Sequence, residues 1–184
     1  MTTGTTGSPG GPTTTILAGT PGQFDATGVA SPHVILDGAT YKMWYQGLDG
    51  AGLLRIGYAT STDGITWTKN GPAVLNLGTA GAFDDSGVST PCVLKDGAVY
   101  RMWYIGRDDA GPNGVQRMGF AQSADGVTWV KYANNPILGV GAPGAFDEVR
   151  LWSPWVVKDG SLFRIWYAAE NAAGDIRLAY TSSN

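Results

Sequence analysis

Charge is scarce in this chain. Only 15% of its 184 residues are Asp, Glu, Lys or Arg, and the net charge is −3. No basic stripe runs along it, which excludes the electrostatic footprint of a nucleic-acid binder. A single cysteine, Cys92, rules out an intramolecular disulfide and leaves the redox compartment unread. A single histidine, His33, argues against a nucleophilic triad and against a His-rich metal site. No apolar run reaches the 18 or so residues of a membrane-spanning helix. The N-terminus has neither the basic region nor the apolar region of a signal peptide, so localisation stays open. Nothing in the sequence calls for a metal or a cofactor, and no segment sustains a 3.6-residue period.

What is abundant is glycine, at 28 residues, and tryptophan plus tyrosine, at 15. That is the composition of many short strands joined by tight turns. Residues 1–12 are almost entirely Thr, Gly, Ser and Pro and read as a flexible segment. The rest repeats itself. Phe24-Asp25, Phe83-Asp84 and Phe146-Asp147 each follow a Gly-rich loop. VASPHVILDG (29–38), VSTPCVLKDG (88–97) and LWSPWVVKDG (151–160) come next, then TYKMWYQG, VYRMWYIG and LFRIWYAA. RIGYATSTDGITW (55–67), RMGFAQSADGVTW (117–129) and RLAYTSS (177–183) close the series. The repeats therefore span about 24–82, 83–145 and 146–184.

Tyr41, Met43 and Tyr45 alternate with Lys42, Trp44 and Gln46, the period of a strand. The Asp-Gly pairs at 37–38, 96–97 and 159–160 stand between β-rich runs and supply the positive φ of a tight hairpin. A second Asp-Gly turn follows at 63–64 and at 125–126. Each repeat is thus a four-stranded antiparallel meander, the unit of a β-propeller blade. The expected fold is all-β, three propeller blades over residues 13–184. The third copy stops after its third strand, which leaves an edge open to another chain. Thr13–Leu17 is a candidate closing strand.

The run FD…SP.V..DG..Y.MWY.G…R.G.A.S.DG..W resembles the repeat of five-bladed glycoside hydrolase propellers, those of families 32, 43 and 130. The resemblance covers residues 20–184 and implies a ring of five blades. The remainder comes from a longer protein or from other subunits of a homo-oligomer, although two such chains make six blades. It also implies an Asp directly before the Pro of an inner strand, or a Glu two residues before it. Here Ser31, Thr90 and Ser153 precede Pro32, Pro91 and Pro154, with Ala30, Ser89 and Trp152 one step further back. The family's catalytic residues do not carry over to these positions.

Residues shared by all copies are expected to serve the fold. Lys42, Arg101 and Arg164, and Arg55, Arg117 and Arg177, are read as partners in ion pairs, for instance with Asp25, Asp84 or Asp147. Trp44, Trp103 and Trp166 are read as blade packing, and the Asp-Gly aspartates as turn formers. Residues peculiar to one copy are the candidates for function. In the third copy Glu148, Arg150, Trp152 and Trp155 replace Asp85, Gly87, Ser89 and Cys92 of the second. A carboxylate, a guanidinium and indoles on one strand and its leading loop can hydrogen-bond to and stack on a sugar ring, or can fill an irregular interface. His33 joins them as a ligand-binding candidate or as a plain inner-strand residue. Cys92 reads as a small buried residue. Asp84, Asp85, Asp147 and Glu148, with Asp25, are the carboxylates available for acid–base chemistry. Asp108 and Asp109 with Asn113 could meet a calcium ion, but the spacing fits no known loop and reads as solvated.

Three functions follow as expectations. The first is a non-catalytic carbohydrate-recognition or interaction module whose partner is a glycan. The second is a structural, self-assembling propeller piece. The third is a glycoside hydrolase or a part of one.

Overall fold

The computed structural model describes residue 19, residues 21–109 and residues 114–183. The 1–12 segment and Thr13–Leu17 lie outside them, as does Asn113. All regular structure is β. Blade 1 contains β1 (Gly28–Asp37), β2 (Thr40–Leu48), β3 (Leu54–Ser61) and β4 (Thr68–Lys69). Blade 2 contains β5 (Gly87–Asp96), β6 (Val99–Arg107), β7 (Gln116–Ser123) and β8 (Val130–Lys131). Blade 3 contains β9 (Arg150–Asp159), β10 (Leu162–Glu170) and β11 (Ile176–Ser183).

Pairing within a blade is antiparallel between neighbours in sequence. The Asp-Gly turns explain it: Gly38, Gly97 and Gly160 all lie near φ +63, a conformation that costs glycine little and other residues much. Single parallel bridges, Leu54↔Gly87 and Gln116↔Arg150, join the blades. The fold is thus three successive blades of a β-propeller. The fourth strands are only two residues long, each extended by an isolated bridge, Ile56↔Leu75 and Met118↔Leu138.

Both faces of the central strands of blade 2 are apolar because that blade is covered on two sides, by blade 1 and by blade 3. We call the face toward the following blade forward and the other rear. Trp44, Ile56 and Tyr58 on the forward face of blade 1 meet Val93, Tyr100 and Met102 on the rear face of blade 2. Cys92, Trp103 and Met118 on the forward face of blade 2 meet Val156, Phe163 and Ile165 on the rear face of blade 3. Trp44 also donates from Nε1 to the Gly126 carbonyl at 2.8 Å, tying blade 1 to the second hairpin of blade 2. Lys95 binds Asp37 and Lys158 binds Asp96 across the same two interfaces.

Candidate functional site

The inner strands β1, β5 and β9 share one irregularity. Their pairing slips between Ala30 and His33, between Ser89 and Cys92, and opposite Trp166–Ala168. At each slip a non-glycine residue takes positive φ: Ser31 (49°), Thr90 (44°) and Ser153 (47°). Each stands just before a proline, which disfavours the right-handed helical region for its predecessor. Strained residues of this kind collect at functional sites, and here they place three hydroxyls at matching points of the inner strands. Thr90 Oγ1 is buried and has no hydrogen-bond partner. Just beyond the slips, His33 of blade 1 and Trp155 of blade 3 meet, with ring centroids 5.9 Å apart. Burial holds the His33 pKa below its usual value despite a hydrogen bond with the Val93 backbone, so the imidazole is neutral at pH 7. Trp155 is 61% exposed.

A second group forms where β9 begins. The Arg150 guanidinium lies 5.4 Å from the centre of the Trp152 ring, so the two share a face as strand alternation requires. Arg150 Nε is 3.0 Å from Glu170 Oε2 across the β9–β10 pair. The contact is an ion pair, so the buried Nε has a charged neighbour. The register sets Arg107, Gln116 and Arg150 in one row across β6, β7 and β9. Arg107 Nε is buried without an acceptor at the end of β6, while its Nη2 donates to the Gly52 and Ser86 carbonyls.

Four of the five carboxylates named from the sequence are engaged with their own blades, and Asp147 has no cationic partner among the described residues. Asp25 accepts from Gly19 N (3.1 Å), Tyr45 Oη (3.1 Å) and Lys69 Nζ (2.6 Å). Asp84 accepts from Tyr104 Oη (3.0 Å) and Lys131 Nζ (2.6 Å). Both aspartates are buried, and burial beside the carboxylate raises the tyrosine pKa values. Asp85 accepts from Gly81 N and Ser86 Oγ. Glu148, its counterpart in blade 3, accepts from Gly144 N and Ala172 N. These backbone bonds hold the Glu148 pKa down and turn the side chain toward the loops. The structure thus joins Arg150 with Trp152, and His33 with Trp155, and places Glu148 in neither contact.

The cations shared by all three copies stand in ion pairs, as expected, with aspartates other than Asp25, Asp84 and Asp147. Arg55 binds Asp49, Arg117 binds Asp108 and Arg177 binds Asp175. Lys42, Arg101 and Arg164 bind Asp37, Asp96 and Asp159. Asp25 and Asp84 instead take lysines from the fourth strands, because Arg55 and Arg117 lie beside the loops that carry Asp49 and Asp108. Asp37 and Asp96 are also more than turn formers, since each receives a lysine from the next blade. Sequence reasoning passed over Glu170 and Arg107. Glu170 stands where the other copies have Leu48 and Arg107, the same kind of departure that drew attention to Arg150.

The family model of the glycosyl hydrolases family 32 N-terminal domain matches residues 33–184. Uncharacterized protein Rv1502 of Mycobacterium tuberculosis strain H37Rv is 30% identical over 164 residues, covering 84% of this chain and 52% of that protein. The chain spans about half the length of the curated relatives it matches. Two solved structures share the fold. Zg3597, a family 117 glycoside hydrolase of Zobellia galactanivorans, superposes with a TM-score of 0.77 at 17% identity, over 92% of this chain and 57% of that one. A family 32 β-fructofuranosidase of Bombyx mori gives 0.63 at 21% identity, over 83% and 32%.

Proposed function

From the premise that the chain belongs to the glycosyl hydrolase family 32 N-terminal domain family, we propose that it is a carbohydrate-recognition module. Its sugar lies at the leading end of the inner strands. The observation that carries the reading is the grouping of Arg150 with the Trp152 ring and Glu170 where β9 begins, and of His33 with the exposed Trp155 just beyond. Arg150 and Glu170 offer directional hydrogen bonds, and Trp152 and Trp155 offer flat apolar surface for a pyranose or furanose face. The positions before the inner-strand prolines carry hydroxyls, which bind a sugar but do not serve as the carboxylate pair of glycoside hydrolysis.

A second reading is hydrolysis of a glycoside, favoured by the family itself. Its acids would be Asp25, Asp84, Asp85, Asp147 and Glu148. Calorimetric titration with a panel of oligosaccharides separates the two. Sucrose belongs in the panel, since a variant of the Bombyx mori β-fructofuranosidase is seen in complex with it. Recognition predicts saturable binding without turnover, weakened about tenfold by Trp155→Ala or Trp152→Ala, the effect of losing one stacked ring. Absence of binding to every sugar, with wild type and both variants alike, defeats the module reading. Turnover abolished by Asp84→Asn or Glu148→Gln establishes the hydrolase instead.

A further inference from the structure

Three residues peculiar to blade 3 meet where β9 begins. Arg150 and Glu170 stand opposite each other in the β9–β10 pair, with Arg150 Nε 3.0 Å from Glu170 Oε2. The Arg150 guanidinium lies over the Trp152 ring, 5.4 Å from its centre. The same register positions hold Gly28 and Leu48 in blade 1, and Gly87 and Arg107 in blade 2. Trp152 stands where those blades have Ala30 and Ser89. Both of them form the same strands in the same pairing with no ion pair at this point. The blade fold therefore does not call for one. Nor does it add much stability, because a part-buried ion pair loses in desolvation much of what it gains by attraction.

The charges of the pair cancel, and both side chains keep access to solvent, Arg150 at 31% and Glu170 at 16%. Arg107, in the same row beyond Gln116, is tied to the Gly52 and Ser86 carbonyls. Glu148 is turned to Gly144 N and Ala172 N, and burial keeps His33 neutral. A guanidinium offers N–H donors in one plane, and a carboxylate only accepts. Side by side they match two adjacent hydroxyls, one accepting from the cation and one donating to the anion. Charged partners make such bonds about twice as strong as neutral ones.

Resting on the reading of this site as a sugar-binding one, we propose that the Arg150–Glu170 pair selects a neutral sugar by a vicinal diol and rejects acidic sugars, uronates and sulfate esters alike. One hydroxyl accepts from the Arg150 Nη groups and its neighbour donates to the Glu170 carboxylate. Trp152 holds the guanidinium in place by stacking. Glu170 is the discriminating residue. It cancels the charge by which Arg150 would draw an anionic group, and it repels that group at close range.

The test adds matched polysaccharides to the oligosaccharide panel: galactan with polygalacturonate, mannan with alginate, and dextran with dextran sulfate. Wild type is expected to bind a neutral sugar of this combined panel and none of the acidic polymers. Opening the vicinal diols of the bound sugar with periodate, followed by borohydride reduction, should weaken binding at least about tenfold, the size of a hydrogen bond to a charged group. Glu170→Gln should weaken neutral binding about tenfold and bring on binding of an acidic polymer that fades with added salt. Unchanged far-UV circular dichroism of Glu170→Gln keeps that result free of a folding artefact, and the wild-type preference needs no variant. The proposal is overturned if wild type binds an acidic polymer as tightly as its neutral partner, if periodate treatment changes nothing, or if Glu170→Gln still rejects acidic polymers. Those outcomes leave sugar recognition standing. Absence of binding to every sugar of the panel defeats sugar recognition itself, and this proposal with it.

Discussion

Blades 2 and 3 carry matching residues on their forward faces and bury them to very different extents. Met118 is fully buried and its counterpart Leu178 is 86% exposed; Trp103 is 2% exposed and Trp166 is 40%. The strands are the same length and in the same register. The difference comes from the next blade alone: Phe163, Ile165 and Val156 cover blade 2, and no described residue covers blade 3. Repetition in sequence therefore specifies a blade but not the environment of its residues. Two tryptophans in equivalent positions can be core in one copy and surface in the next.

Replacing the two tryptophans breaks the comparison most sharply. Trp103→Ala removes a buried indole and is expected to cost about 3–5 kcal/mol, whereas Trp166→Ala costs about 1 kcal/mol or less. Urea titration reads both, and similar losses would mean that blade 3 is covered in solution. The aspartates give the next largest contrast. Lys131→Ala strands the buried Asp84 carboxylate and should cost about 3 kcal/mol. Asp147→Asn, with no lysine to lose, should shift the urea midpoint little.

Glycine marks a third difference. A Cβ at Gly119 would stand 2.5 Å from Tyr104 Cζ, so Gly119→Ala is expected to lose about 1–3 kcal/mol by overpacking. Blade 3 already has Ala179 there and Ala169 in place of Gly106. Phe83 lies 6.0 Å from Tyr104, while Phe146 has moved out to 37% exposure. Ala179→Gly should change thermal stability only slightly.

The smallest effect is electrostatic. Lys158 in first place, then Arg101, holds the Asp96 pKa below its usual value, and Lys42 and Lys95 do the same for Asp37. A depressed carboxylate contributes stability that is fully present above its unfolded pKa, about 3.9, and is lost as pH falls through the lower folded value. The melting temperature should stay level from pH 7 to about pH 5 and drop below about pH 4. Lys158→Met should make that drop shallower, and because the lysine is partly exposed the change at pH 7 should be small.

Much of the fold was legible because its signals are local. Period-2 alternation around Met43, Met102 and Ile165 announces the second strand of each blade, and Asp-Gly announces the hairpin. The site was legible only where one copy departs from the others. Arg150, Trp152 and Trp155 stood out in that way. Glu170 carries the same signal but was masked by Arg107, which had already broken the pattern at that position. The strained hydroxyls at Ser31, Thr90 and Ser153 are alike in all copies, and their positive φ has no local residue signature beyond the proline that follows.

By itself the sequence determined the repeat, the strand order and the turns, since each depends on residues within a few positions of one another. Tertiary structure alone decided which carboxylate each cation meets, which tryptophan is core, and that His33 faces Trp155. Those outcomes depend on blades far apart in the chain, where desolvation and Coulomb attraction act only once packing has brought the groups together.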